Sequence, residues 1–148
     1  MRLLGLKILV VEDDVDNLEL LASFFEGEGA QTISASSVGA ALAHSEGKKL
    51  DLVVSDLELA DGDGCKLLAE LKKRDGRSGV PAIAVTGYSE QKWRDKAATG
   101  GFVRYALKPY SLERLVDWVV ELTAPPSASS ADFCHDVALP AARDRLAR

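Results

Sequence analysis

A chain of 148 residues with 47% apolar side chains has the length of one domain and enough hydrophobic mass for an ordinary core, so disorder along its whole length is excluded. A net charge of −5 without a dense Lys/Arg run argues against a nucleic-acid footprint, because phosphate binding needs a basic face. No apolar run is long enough to span a bilayer and the N-terminus lacks the pattern of a signal peptide, so the expectation is a soluble cytoplasmic protein with no membrane association.

In chain order, short β-branched runs alternate with amphipathic stretches five times. The spacing predicts strands over residues 7–11, 31–35, 51–55, 81–86 and 102–107. After the first strand, Val15, Leu18, Leu21, Ala22 and Phe25 recur at helical spacing; after the second, Val38, Ala41 and Leu42; after the third, Cys65, Leu68 and Leu71. A fourth helix is expected over 89–99, with Trp93 and Ala97 four apart. A fifth carries Leu112, Leu115, Val116, Val119 and Leu122. Asp14, Asp63 and Ser111 stand where helices should start, and each can accept hydrogen bonds from free backbone amides.

Strand–helix alternation implies right-handed crossovers and a mostly parallel sheet with helices on both faces, an open three-layer α/β sandwich. The domain is expected over 1–122. From Ala124 the composition shifts to Pro, Ser and Ala, so 123–148 reads as a linker and a tail holding at most one short helix around Ala141 to Ala147.

In such sheets ligands bind beyond the C-terminal strand ends. Glu12 and Asp13 follow the first run, Asp56 ends the third, Thr86 ends the fourth, and Lys108 precedes Pro109 after the fifth. Carboxylates crowded at one edge repel one another and hold their protons too tightly unless cations join them. A divalent metal and a lysine supply that charge.

These residues carry a resemblance. Val10-Val11-Glu12-Asp13, the lone acid Asp56, Asp63-Gly64 opening the third helix, Thr86, and Tyr105 three residues before Lys108-Pro109 make residues 5–122 resemble the receiver domain of two-component response regulators, of the chemotaxis-regulator kind. The resemblance implies a doubly wound, flavodoxin-like five-stranded parallel sheet of order 2-1-3-4-5. It implies that Asp56 is the nucleophile that takes a phosphoryl group, that Mg²⁺ is held by Asp13, by Glu12 through water, by Asp56 and by the backbone carbonyl of Glu58, and that Lys108 donates to a phosphoryl oxygen. Thr86 would then bond the new phosphoryl group and Tyr105 would swing from exposed to buried, changing the surface of the fourth helix, fifth strand and fifth helix. The Glu58 side chain would point toward the mouth of that site, and Tyr88, two residues after Thr86, would shield the acyl phosphate from water. Asp14 reads as a helix cap and not as a ligand.

Implied partners are a sensor histidine kinase or histidine phosphotransfer protein as donor, a downstream effector, and a second copy of the chain. The chain is then a signalling protein that catalyses only its own phosphorylation and dephosphorylation. Ala60 stands where the family commonly has proline, so the loop Leu57 to Asp63 is expected to be more mobile than usual. Glu12 replaces a frequent aspartate.

Rival readings fare worse. An aspartyl-phosphate phosphatase needs an Asp-Gly-Thr after the nucleophile and a cap insertion. A calcium loop within Asp56 to Glu70 lacks ligands at the right distances, and a flavin site needs a phosphate loop where the acids stand. A phosphorylation-independent binding module and a fragment of a hybrid histidine kinase remain the alternatives. His44 and His135 read as surface residues, and Cys65 and Cys134 as separate reduced thiols.

Overall fold

The computed structural model describes residues 1–74 and 76–125. Nearly all of the expected tail, with Cys134, His135 and the short helix expected near Ala141, lies outside the described residues.

The central sheet has strands β1 (Lys7–Val11), β2 (Gln31–Ala35), β3 (Leu52–Asp56), β4 (Ala82–Thr86) and β5 (Arg104–Leu107). They are all parallel, in the order β2-β1-β3-β4-β5. The helices are α1 (Val15–Gly27), α2 (Val38–Ser45), α3 (Gly64–Lys72), α4 (Gln91–Gly100) and α5 (Leu112–Thr123). This is the doubly wound flavodoxin-like receiver fold, as expected. Among the described residues no helix is long and apolar enough to cross a membrane.

The pleat sorts the side chains into two cores. Leu9, Val11, Val53, Ala82, Ala84 and Tyr105 face one way and pack with Ala41, Leu67, Leu68, Leu71 and Ala97, from α2, α3 and α4. Ile8, Val10, Leu52, Val54, Ile83, Val85 and Ala106 face the other way, against Leu21 and Phe25 of α1 and Leu115, Val116 and Val119 of α5. β3 and β4 are buried at every position, which is why their sequences read as continuous apolar runs and not as alternation.

The three expected caps hold. Asp14 accepts from the N–H groups of Asp16 and Asn17, Asp63 from Lys66, and Ser111 from Arg114. Ser37, unremarked in the sequence, caps α2 by accepting from Ala40 N–H. The structure also adds a feature that two-residue strands make illegible in sequence: Glu58–Leu59 pairs antiparallel with Gly62–Asp63 as a small ribbon. Asp61 at its tip accepts from the N–H groups of Val38 at 2.8 Å and Gly39 at 3.0 Å. Those bonds lower the Asp61 pKa and tie the ribbon to the start of α2. The loop expected to be mobile for want of a proline is thus held by hydrogen bonds.

β5 begins at Arg104, two residues later than expected. Gly101 ends α4 in the left-handed conformation at φ 109°, and the wholly buried Phe102 is spent as a plug between α4 and the sheet.

Candidate phosphoacceptor site

The parallel register lines up the strand ends. Val11 lies opposite Ser55, Asp56 opposite Val85, and Thr86 opposite Leu107, so Glu12, Asp56, Thr86 and Lys108 fall at or one residue past the ends of four adjacent strands. Each lies at the C-terminal edge of the sheet, where the α/β topology opens its crevice.

Asp56 is 7% exposed and its carboxylate is already engaged on both oxygens. Oδ2 accepts from Lys108 Nζ at 2.9 Å, and Oδ1 accepts from the Glu58 N–H at 3.2 Å. Lys108 Nζ also lies 3.0 Å from Glu12 Oε1, so one ammonium bridges two carboxylates. Burial would lower the Lys108 pKa, but the bonds to Asp56 and Glu12 outweigh it and raise it above the ordinary lysine value.

Glu12 is 1% exposed, and burial raises its pKa against the opposing pull of Lys108 and of the Asp14 N–H, which donates to its Oε2 at 3.2 Å. Its Oε1 is the atom that pairs with the Lys108 ammonium at 3.0 Å. Asp13 is exposed beside it. One carboxylate oxygen each from Glu12, Asp13 and Asp56 lie within 4.8 Å of one another. Three carboxylates against one ammonium leave an excess of negative charge in a purely oxygen donor set. That is the chemistry of a hard divalent cation, so these residues fit Mg²⁺. The Glu58 side chain is not one of the three carboxylates in this group.

The neighbouring β3–α3 junction is tight. A Cβ on Gly64 would lie 2.3 Å from the Asp56 carbonyl oxygen and 3.2 Å from Leu57 Cα, so only glycine lets α3 start this close to the end of β3. Thr86 is wholly buried, and its Oγ1 accepts from Tyr88 N–H at 3.2 Å. A Cβ on Gly87 would meet nothing within 4 Å, so the approach beside Thr86 is open.

The sequence suggested a shielding role for Tyr88 but not that it is a hub. Its hydroxyl donates to Glu58 Oε1 at 2.6 Å, its ring stacks on Trp93 with centroids 4.4 Å apart, and its carbonyl accepts from the Tyr105 hydroxyl. Tyr105 is 3% exposed, with the Arg94 guanidinium 4.7 Å from its ring. Trp118 is buried, whereas Trp93 is half-buried against Tyr88. Tyr110 was missed altogether; burial, with the Glu12 charge nearby, pushes its phenol up to about 12. The tyrosine after Lys108-Pro109 was the only available signal. The Lys108–Pro109 bond is cis. His44 is exposed on α2, as expected of a surface residue.

Residues 8–120 match the response regulator receiver domain family. The chain belongs to that family. It is 35% identical over 123 residues to an uncharacterized 14.6 kDa protein of Leptolyngbya boryana, an alignment covering 82% of this chain and 94% of that one. It is 32% identical over 134 residues to the transcriptional regulatory protein ZraR of Salmonella typhimurium, covering 85% of this chain but only 30% of ZraR. The crystal structure of a two-component response regulator from Clostridium difficile superimposes with a TM-score of 0.77 at 27% identity, over 84% of this chain and 100% of the other. Receiver domains are signalling proteins of two-component systems, and the acidic cluster here is compatible with the Mg²⁺ they bind in general.

Proposed function

We propose that this receiver accepts a phosphoryl group on Asp56 from a phosphohistidine of a sensor kinase or phosphotransfer protein, and relays the event through the surface of α4, β5 and α5. An Asp56 carboxylate oxygen attacks phosphorus, the P–N bond breaks, and its electron pair leaves with the imidazole. The observation that carries this reading is Lys108, held between Asp56 and the buried Glu12, where its ammonium can follow a phosphoryl oxygen as charge arrives. Bound Mg²⁺, held by Asp13, Asp56, the Glu58 carbonyl and, through water, Glu12, would neutralise the phosphoryl oxygens.

Thr86 is the group to engage the phosphoryl oxygens after transfer. Its hydroxyl already accepts from Tyr88 N–H, and Tyr88 O holds the Tyr105 hydroxyl, so a shift of Thr86 reaches Tyr105 through two hydrogen bonds. Action in the cytoplasm, an effector protein or second copy as recipient of the signal, and a receiver unit of residues 1–122 complete the proposal.

The test is incubation with acetyl phosphate and Mg²⁺ followed by intact mass. One phosphoryl increment is expected, absent in Asp56→Asn and without added metal. No increment at saturating donor would favour a binding module that works without phosphorylation.

A further inference from the structure

The small ribbon after β3 is fastened at its base, its flank and its tip. At the base, Gly64 N–H donates to the Leu57 carbonyl at 2.9 Å. On the flank, Glu58 N–H donates to Asp56 Oδ1 at 3.2 Å, and the Glu58 carboxylate accepts from the Tyr88 hydroxyl at 2.6 Å. At the tip, Asp61 spends one carboxylate oxygen on each of two consecutive amides: Oδ1 accepts from Val38 N–H at 2.8 Å and Oδ2 from Gly39 N–H at 3.0 Å. Bonds to an ionised acceptor are the stronger kind, and the positive end of α2 strengthens these further. Packing agrees with them. A Cβ on Gly62 would lie 3.2 Å from Val38 Cγ2, so the ribbon rests on the first residue of α2, and Leu57 and Leu59 are buried in the same core as Ala41.

The start of α2 depends on the same contact. A helix leaves its first amides without partners inside the helix. In α2, Asp61 accepts from Val38 and Gly39, and Ser37 Oγ accepts from Ala40 at 3.0 Å. Ser37 belongs to the flank of α2 itself, whereas Asp61 arrives from the loop that carries Glu58. We propose that Asp61 is a positioning residue for Mg²⁺: by pinning the ribbon tip to α2 it holds the Glu58 backbone carbonyl in place, and it couples the metal site to the first turn of α2.

The ribbon transmits the constraint because it is short and paired. The Glu58 carbonyl belongs to the peptide that joins Glu58 to Leu59, and Leu59 pairs with Gly62, the residue after Asp61. A tip released from α2 therefore loosens the strand that bears the carbonyl. The inference rests on the proposed reading of Glu58 as a metal ligand. Coupling of this kind is reciprocal: if the Asp61 bonds favour metal binding, the bound metal strengthens the Asp61 bonds by the same factor. The first turn of α2 then responds to the metal at a face separate from α4, β5 and α5.

The experiment is a Mg²⁺ titration of the full chain, followed through the amide NMR signals of Asp13 and Glu58, with amide hydrogen exchange measured with and without the ion. In the parent, saturating Mg²⁺ should slow exchange of the Val38 and Gly39 amides about fivefold, and Asp61→Ala should weaken Mg²⁺ binding by about the same factor. Asp61→Asn keeps one acceptor oxygen and should fall between the two. Ser37→Ala removes the other partner of the first turn of α2 without touching the ribbon, so it should speed exchange at Ala40 and leave Mg²⁺ affinity within about twofold of the parent. The inference is overturned if Mg²⁺ leaves Val38 and Gly39 exchange in the parent unchanged, a measurement that needs no variant to fold, or if Asp61→Ala binds the ion as the parent does. Equal losses in Asp61→Asn and Asp61→Ala would reduce the effect to charge, and an equal loss in Ser37→Ala would reduce it to the stability of α2; either also overturns it. A parent that binds no Mg²⁺ refutes the metal reading itself, and the inference with it.

Discussion

Lys108→Met removes a charge while keeping the length and apolar stem of the side chain. Its ammonium sits 2.9 Å from Asp56 and 3.0 Å from Glu12, and at an effective dielectric of ~20 each contact is worth about 5.5 kcal/mol before desolvation is subtracted. Burial of Lys108 offsets much of that, and its side chain is still 26% exposed. Breaking a buried pair by deleting one partner costs roughly 3–5 kcal/mol, and the low end applies to a partly exposed lysine. The expected loss is therefore about 3 kcal/mol at neutral pH, roughly 10 °C in Tm for a domain of this size. Urea unfolding followed by circular dichroism measures it, with exposed Lys66→Met as a control expected to stay within about 0.5 kcal/mol of wild type. Saturating MgCl₂ should recover more stability in Lys108→Met than in the parent, because the divalent charge replaces what was removed. A variant that unfolds at the wild-type midpoint, or equal Mg²⁺ stabilisation of both proteins, would refute the claim that Lys108 neutralises this carboxylate cluster.

Gly64→Ala should cost about 2 kcal/mol or more and slow phosphorylation by acetyl phosphate, since its Cβ must displace the backbone of the acceptor strand; a folded variant with an unchanged rate would contradict this. Tyr88→Ala strips the ring that stacks on Trp93 and the hydroxyl on Glu58, so the acyl phosphate, followed by intact mass over time, should hydrolyse several-fold faster, while Tyr88→Phe should retain most of the shielding. Burial raises the Cys65 thiol pKa. In a Cys134→Ser background it should therefore react more slowly with a disulfide reagent near pH 8 than a free thiol does. The thiol form is favoured in the fold, so its stability contribution is complete below the unfolded thiol value and is lost as pH rises through the higher folded value; stability that climbs across that alkaline range counts against the assignment.

Much of the fold was legible because its signals are local. β3 and β4 announce themselves as apolar runs, and Asp14, Asp63 and Ser111 mark helix starts through bonds spanning two or three residues. The site was legible for a related reason: in a parallel sheet every strand end faces the same edge, so Glu12, Asp56, Thr86 and Lys108 could be gathered from strand boundaries alone. Pairings between distant loops were not legible. Glu58 gains Tyr88 from thirty residues away, and Asp61 finds the start of α2 across twenty-three, with no periodicity linking them.

The order of residues thus determined the alternation of elements, the faces they bury and the edge where charge collects, since each depends on the spacing of side chains along one segment. Only the tertiary structure decided that a single ammonium spans Glu12 and Asp56, that Tyr105 points inward onto Tyr88, and that the loop after β3 is tied through Asp61. Those contacts depend on distances of a few ångströms between chain segments far apart in sequence, and the packed sheet and helices set those distances.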